Sequence, residues 1–271
     1  LRGFNRKILT IGFKNLVIKN KGLKKLISNS IKNKLTYQDI GFNIGPIINS
    51  SGRISKANDV VELFLSQNDN KIDTIIKKMN KHNIARKRIE QQNLSLVDFK
   101  EYYDENVVII HNKEFHEGTI GIIASKLSQF FNKPCFIITE THNLLRCSIR
   151  SGNKIKINKT INKLISNKLI ISGGGHDEAG GFTAKKENLP NIKCFLKKEY
   201  EKLSTEHYYY FDAYTVFPKK NSTLVNDLKS LEPFGKKNPE PIFYFKDIKS
   251  IKSKIINKRH IQNILKNKSG R

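Results

Sequence analysis

None of the three cysteines, Cys135, Cys147 and Cys194, stands in a Cys-x-x-Cys pair, and an odd number cannot close a full disulfide set. This argues against a disulfide framework or a zinc knuckle and fits a reducing cytoplasm. Each cysteine lies in or beside an apolar stretch, so the thiols read as small buried hydrophobes. No apolar run approaches the roughly 20 residues that a membrane span needs. The opening residues, Leu1-Arg2-Gly3-Phe4-Asn5-Arg6, lack the apolar core of a secretion signal and begin on Leu rather than Met, as in a chain that starts inside a longer protein or has been processed. Carboxylates are scarce, 24 against 50 lysines and arginines. Those at Asp39, Asp59, Asp69 and Asp73 share no metal-ligand spacing. No Asp-His-His cluster, Walker-type loop or Ser-His-Asp arrangement stands out, and there is no internal repeat. On residue chemistry alone the chain binds phosphates, has no metal site of its own and shows no means of cleaving what it binds.

Positive charge is plentiful. A net charge of +26 over 271 residues favours a polyanionic partner. The lean is modest, because Lys, Asn and Ile are frequent throughout and a biased genome composition gives the same pattern.

Along the chain, residues 1–35 read as short helical pieces, with Leu16, Leu23, Leu26 and Ile27 on one face. Thr36-Tyr37-Gln38-Asp39 reads as a helix start. Gly41-Phe42-Asn43-Ile44-Gly45-Pro46 suits an irregular loop. From Asn58 to about Tyr103 neither Pro nor Gly intervenes, and Ile72, Ile75, Ile76 and Met79 recur at helical spacing, which predicts one long amphipathic helix. Its cations Lys77, Lys78, Lys81, Arg86, Lys87 and Arg88 fit a solvated face as well as a backbone-binding one. Beyond Val107 strands alternate with helices. Val107–Ile110, Cys135–Ile138, Leu145–Arg150 and a run from Phe182 read as strands, and Thr119–Phe131 and Ile155–Asn167 as helices, the pattern of an α/β domain. The tract Tyr208–Tyr214, a helix from about Ser222 to Leu231 and strand-like runs at Ile242–Phe245 and Ile261–Leu265 predict a smaller β-containing domain that looks cut short. The expected boundaries are 1–57, 58–104, 105–203 and 204–271.

Three clusters carry the chemistry. In Gly173-Gly174-Gly175-His176-Asp177-Glu178-Ala179-Gly180-Gly181, an apolar run Leu169-Ile170-Ile171 empties into glycines whose bare N–H groups suit an anion, with His176 as a further donor. A tight turn with a capping His is the plain alternative. In Arg146-Cys147-Ser148-Ile149-Arg150-Ser151, strand alternation puts Ser148 and Arg150 on one face, a hydroxyl beside a guanidinium that can grip a phosphate, with an edge strand and a solvent-facing Arg as the equal alternative. In Gly45-Pro46-Ile47-Ile48-Asn49-Ser50-Ser51-Gly52-Arg53, the expected stiff loop carries Asn49 and Arg53 as polar arms, with an Asn turn followed by a helix start as the plain alternative. His116 precedes a helix and either caps, packs or binds.

Together these segments resemble the RecJ family of DHH phosphoesterases. Gly45-Pro46…Asn49…Gly52-Arg53 is similar to that family's G-P-x-x-N-x-x-G-R. Phe115-His116-Glu117-Gly118-Thr119-Ile120-Gly121-Ile122-Ile123-Ala124-Ser125 resembles its W-H-x-G-x-I-G-I-x-A-S, with Phe for Trp. Ser148-Ile149-Arg150-Ser151 fits S-x-R-S, and Gly174-Gly175-His176 through Gly180 fits G-G-H-x-x-A-x-G of the DHH-associated domain. Leu231-Glu232-Pro233-Phe234-Gly235-Lys236-Lys237-Asn238-Pro239-Glu240-Pro241 resembles P-F-G-x-x-N-P-E-P of the OB-fold domain. The five matches run in family order.

The resemblance implies an α/β fold: a DHH-associated domain (a mixed sheet flanked by helices), preceded by a long linking helix and followed by a partial OB-fold β-barrel. It implies a 5′-to-3′ single-stranded-DNA exonuclease of DNA repair and recombination, cytoplasmic and monomeric, working beside a helicase or single-strand-binding protein. Mn²⁺ or Mg²⁺ is expected on residues outside this chain, in an N-terminal domain whose tail is residues 1–57. Ser148 and Arg150 are expected to hold a terminal 5′-phosphate, His176 with Gly174 and Gly175 the scissile or adjacent phosphate, and Asn49, Arg53 and His116 the entering strand. Two other classes remain open: a phosphoesterase of very short oligonucleotides, which normally lacks the segment at 233–241, and a non-catalytic DNA-binding subunit.

Overall fold

The computed structural model describes residues 2–33, 35–152, 155–203, 210–215, 223–235, 237–256 and 260–267. Helix α1 (Gly3–Lys14) buries no residue, and by its contacts it belongs with residues 208–271 rather than with the helices that follow it. Leu16, expected on a face shared with Leu23, lies outside any helix and is exposed, whereas Leu26 and Ile27 are buried.

Residues 18–207 form the larger unit. It opens with α2 (Lys21–Ser30), α3 (Tyr37–Asp39), α4 (Gly45–Ile54), α5 (Asn58–Leu65) and α6 (Asp69–Ser95). The expected start at Thr36 is a capping box: Thr36 and Asp39 each accept from the other's backbone N–H. The irregular loop expected over 41–46 is instead helical, a π-turn at Ile40–Ile44 running into α4. Pro46 sits in the first turn of α4, where no intrahelical N–H donor is required, and Ile44 and Ile47 face the core. Ser50 and Ser51 are fully buried; Ser50 Oγ donates to the carbonyl of Ile47 at 2.7 Å, and Ser51 Oγ lies 3.4 Å from His82 Nδ1. These small hydroxyls let α4 pack closely on α6.

The single long helix expected from Asn58 is broken. After α5 the chain turns through Ser66-Gln67-Asn68 before α6 begins, and Phe99–Tyr102 is a separate 3₁₀ turn. Neither Gly nor Pro makes the break. Asn68 is an N-cap whose side chain accepts from the N–H of Lys71, and a cap of this kind starts a new helix inside a polar run. Of the basic face, Arg86 is committed to Glu90 at 2.7 Å and Lys78 to Asp59 at 2.8 Å, while Lys77, Lys81, Lys87 and Arg88 are exposed.

The α/β part follows: β1 (Val108–His111), α7 (Glu117–Phe131), β2 (Cys135–Thr141), β3 (Leu144–Arg150), α8 (Ile157–Ser166), β4 (Ser172–Gly175), β5 (Ala179–Lys185) and α9 (Leu189–Glu199). The sheet order is β1-β2-β3-β5-β4, with β1 and β2 parallel and the other neighbours antiparallel, so the expected mixed sheet is present. Strand alternation sorts two cores. Phe136, Ile138, Leu145, Cys147 and Ile149 face α8 and α9, against Ile157, Ile161, Ile192 and Leu196. Cys135 and Ile137 face α7, against Ile120, Ile123 and Leu127. Each such side chain taken fully from water contributes roughly 1.5–3 kcal/mol. After the apolar run Leu169-Ile170-Ile171 the strand begins at Ser172, so the glycines are themselves strand residues.

The smaller unit contains β6 (Ala213–Thr215), α10 (Leu224–Ser230), β7 (Phe243–Phe245), β8 (Ile248–Ile256) and β9 (His260–Asn267). Strand β6 pairs with β7 in parallel, and β8 with β9 antiparallel. The sequence gives no expectation of β8, whose lysine-studded pattern lacks a clear period of two. Arg6 donates to the carbonyl of Leu231 at 2.8 Å, and Arg2 to that of Lys237 at 2.7 Å, which fastens α1 to the Pro233–Pro241 segment. Asn238 closes that segment by donating to the carbonyls of Leu231 and Pro233. Tyr244 is exposed and stacks on Phe211 with centroids 5.3 Å apart, while Phe243 is half-buried. The expected features at residues 204–209, Ser222, Lys236 and the terminal Ser269-Gly270-Arg271 fall outside the described residues.

Candidate nucleic-acid interface

The face of the sheet toward α7 changes character halfway across. Beneath β1 and β2 it is apolar and covered by the helix. From β3 onward it is polar or bare, because Arg146, Ser148 and Arg150 alternate with the core residues Leu145, Cys147 and Ile149. The ladder carries this face sideways in rows: Arg146 pairs with Thr183 and then Ser172, Ser148 with Gly181 and then Gly174, and Arg150 with Ala179. Directly paired residues point to the same side of a sheet. Three polar rows thus floor a cleft of about 700 Å³, walled by Gly52 and Arg53 of α4 and by Glu117, Gly118 and Gly121 of α7.

Helix α4 brings Arg53 to this cleft. Its guanidinium donates to the carbonyl of Gly118 at 3.0 Å. A side chain at Gly118 would run into the backbone of Arg53, so glycine is what lets the two helices close up. Helix α7 is held in turn by α6, through Lys126 to Glu90 at 2.5 Å and through Asn93 donating to Thr119 Oγ1 at 3.1 Å. Gly121 plays a similar part toward the sheet: a Cβ there would lie 3.2 Å from Ser148 Oγ and 3.7 Å from Arg150 Nη2.

Arg150 is half-buried, and its Nη1 donates to the carbonyl of Ile149 at 2.8 Å. Burial, and after it the charge of Arg53, hold its guanidinium below the ordinary arginine value. The two like charges share one cleft and repel each other, a repulsion that a bound anion would relieve.

The structure brings Arg53, Ser148 and Arg150 onto one cleft and distributes the other expected residues around it; Gly174 continues the Ser148 row through Gly181 but is not among the residues that line the cleft. Asn49 lies one turn before Arg53 on α4, exposed, and is not among the residues that line the cleft. His116 is the N-cap of α7: its Nδ1 accepts from the N–H of Gly118 at 3.1 Å, which leaves Nε2 for a ligand. His176 is exposed at the head of the β4–β5 turn, past the Arg150 end of the cleft, and its N–H donates to the carbonyl of Ala179.

The glycines divide between two tasks. Gly174 and Gly181 belong to the cleft rows, and a Cβ on Gly174 would meet nothing within 4 Å. Gly173, Gly175 and Gly180 fall on the opposite face by alternation. A Cβ on Gly180 would meet Ile161 Cδ1 at 2.5 Å and Ile157 Cγ2 at 3.2 Å, so this glycine makes room for α8. Gly175 is constrained by the turn, where a Cβ would crowd the backbone of Ala179 and Gly180.

Arg146, Ser172, Thr183, Glu117 and Gly121 are cleft residues beyond those singled out in the sequence. Arg146 was within reach there, since it stands two positions before Ser148 on the same strand. Among the described residues no group of three or more His, Cys, Asp or Glu is placed to hold a metal, and no helix is long and apolar enough to cross a membrane.

Residues 104–202 match the family model of the DHHA1 domain, and residues 211–271 that of the RecJ OB domain. The chain is of the RecJ type. It is 24% identical over 280 residues to the single-stranded-DNA-specific exonuclease RecJ of Bacillus subtilis, covering 98% of this chain and 35% of that protein. The corresponding protein of Haemophilus influenzae is 25% identical over 263 residues, covering 90% and 45%. The fold is that of Thermus thermophilus RecJ crystallised with Mn²⁺, with a TM-score of 0.82 at 21% identity over 97% of this chain and 40% of that one. A second crystal structure of that RecJ, in complex with Mg²⁺, gives a TM-score of 0.81. The chain thus spans less than half the length of these relatives.

Proposed function

We propose that this chain is the nucleic-acid-gripping portion of a 5′-to-3′ single-stranded-DNA exonuclease acting in DNA repair and recombination. The observation that carries this reading is the convergence of Arg53 and Arg150, with Ser148 between β3 and α7, on one cleft. A phosphate placed there accepts from the Ser148 hydroxyl and from both guanidiniums, and it cancels their mutual repulsion. A terminal phosphate, with up to two negative charges, fits better than a singly charged diester, so the site reads as the seat of the 5′ end. The bare row of Gly174 and Gly181 lets a sugar-phosphate backbone lie close to the sheet. Asn49 and His116, at the rims, and His176, past the Arg150 end, would touch the neighbouring nucleotides. In the smaller unit the exposed Phe211–Tyr244 stack offers a platform for bases.

The described residues bind and orient the strand, and among them no group of three or more His, Cys, Asp or Glu is placed to hold a metal. Divalent metal, as bound in the two Thermus RecJ structures, would be held elsewhere in the whole protein. A matching OB domain favours this reading over a phosphoesterase of very short oligonucleotides.

Equilibrium binding of the chain to single-stranded and duplex DNA of equal length, over a series of salt concentrations, tests the reading. Tighter binding to the single strand, weakening steeply with salt and without cleavage when Mn²⁺ is added, is expected. Equal affinity for duplex, or degradation by the chain alone, contradicts it.

A further inference from the structure

The cleft holds a third cation that a single phosphate on Ser148 and Arg150 does not engage. Arg146 lies one row from Ser148 along β3, in line with Thr183 and Ser172. Two residues of strand separate the rows, about 7 Å. That is too far for one phosphate to bridge and comparable to the span between linked phosphates. The Arg146 side chain is set in place: Nη1 donates to Thr183 Oγ1 at 2.5 Å. Its Nε is shielded from solvent, makes no hydrogen bond and faces Glu117 Oε1 at 3.6 Å. A buried donor left unsatisfied is costly, and a guanidinium commonly resolves this by gripping an oxyanion. Three arginines and one glutamate line the cleft, so positive charge is in excess there before any phosphate binds.

We propose that Arg146, Thr183 and Ser172 form a second phosphate subsite in this cleft, which takes a phosphate covalently linked to the one on Ser148 and Arg150. Glu117 holds Arg146 while the subsite is empty. The proposal rests on the reading of Ser148 and Arg150 as a terminal-phosphate seat. Two sources supply the same chemistry: the next phosphodiester of the strand, or the outermost phosphate of a 5′-triphosphorylated end, two anhydride links from the first. The subsite lies on the side of Ser148 away from Arg150 and His176, so the diester source carries the strand past Arg146, whereas the triphosphate source leaves the strand on the His176 side.

The test measures the affinity of the full-length protein, with divalent metal withheld, for three short single strands. One carries a 5′-monophosphate, one a 5′-monophosphate and an uncharged methylphosphonate at the first linkage, and one a 5′-triphosphate. Wild type is expected to lose about tenfold on the methylphosphonate strand if the diester is the ligand, or to gain about tenfold on the triphosphate strand if the end is. Arg146→Ala is expected to erase that discrimination while keeping the preference for 5′-phosphate over 5′-hydroxyl. It should also lower the slope of log affinity against log salt by about 0.7, one single-strand contact. Arg146→Lys, which keeps the charge, should retain part of the discrimination, and Glu117→Gln should strengthen it. A wild type indifferent to both modified strands, or an Arg146→Ala variant that discriminates as wild type does, overturns the subsite. Loss of the 5′-phosphate preference in wild type itself would instead strike the reading on which it rests.

Discussion

The guanidinium of Arg53 donates to the carbonyl of Gly118 at 3.0 Å, while the carbonyl of Arg53 fills the space that a side chain at position 118 would need. This reciprocal contact joins the end of α4 to the start of α7 and aims Arg53 at the cleft. Gly118→Ala therefore forces the helices apart. We expect a loss of about 1–3 kcal/mol of stability, the range for overpacking a close contact. Weaker single-strand binding should accompany it, because Arg53 moves. Thermal unfolding together with a binding isotherm checks this; an unchanged melting temperature contradicts the close approach.

The glycine-rich hairpin makes an asymmetric prediction. Gly180→Ala drives a methyl into Ile161 and Ile157 of α8 and should destabilise the protein by about 1–3 kcal/mol. Gly174→Ala meets no neighbour, so the fold should hold near wild-type stability while the methyl rises from the cleft floor and weakens single-strand binding. Equal loss of stability in the two variants would mean that these glycines do not face opposite ways.

Cysteine reactivity reports on the sheet. Burial pushes the thiols of Cys135 and Cys147 up, away from the reactive thiolate, whereas Cys194, expected to be buried with them, lies on the exposed side of α9. Iodoacetamide at neutral pH should label Cys194 alone in the folded protein and all three cysteines after unfolding, as read by mass spectrometry. Rapid labelling of Cys147 in the folded protein is the contrary result.

Much of the fold could be read from the sequence where one periodicity ruled. Strands β1 and β2 carry short apolar runs, helix α7 repeats Ile120, Ile123, Leu127 and Phe131 at helical spacing, and β3 alternates cleanly enough to place Ser148 and Arg150 together. Reading failed where the usual signals conflicted. Gly45 and Pro46 suggest a loop, but a proline in the first turn is compatible with a helix, and the buried Ile44 and Ile47 decide the outcome. The break before α6 rests on one polar cap, Asn68, within a polar run. The glycines of β4 and β5 carry no side chains and so no hydropathy pattern. Which face each takes, and so which of them floor the cleft and which admit α8, emerges only from the ladder register. Gly118 and Gly121 were visible in a family motif, but their task, close approach to Arg53 and to Ser148, is a property of three dimensions.

The central claim is that Ser148 and Arg150, with Arg53, seat the 5′-phosphate of a single strand. The most direct measurement compares the affinity of the full-length protein for one oligonucleotide with a 5′-phosphate and with a 5′-hydroxyl, in wild type and in Arg150→Ala. Wild type is expected to favour the phosphorylated strand by about tenfold to a hundredfold, the scale of hydrogen bonds to charged groups. Arg150→Ala should bind the two strands alike. An Arg150→Ala variant that keeps the wild-type preference would contradict the account.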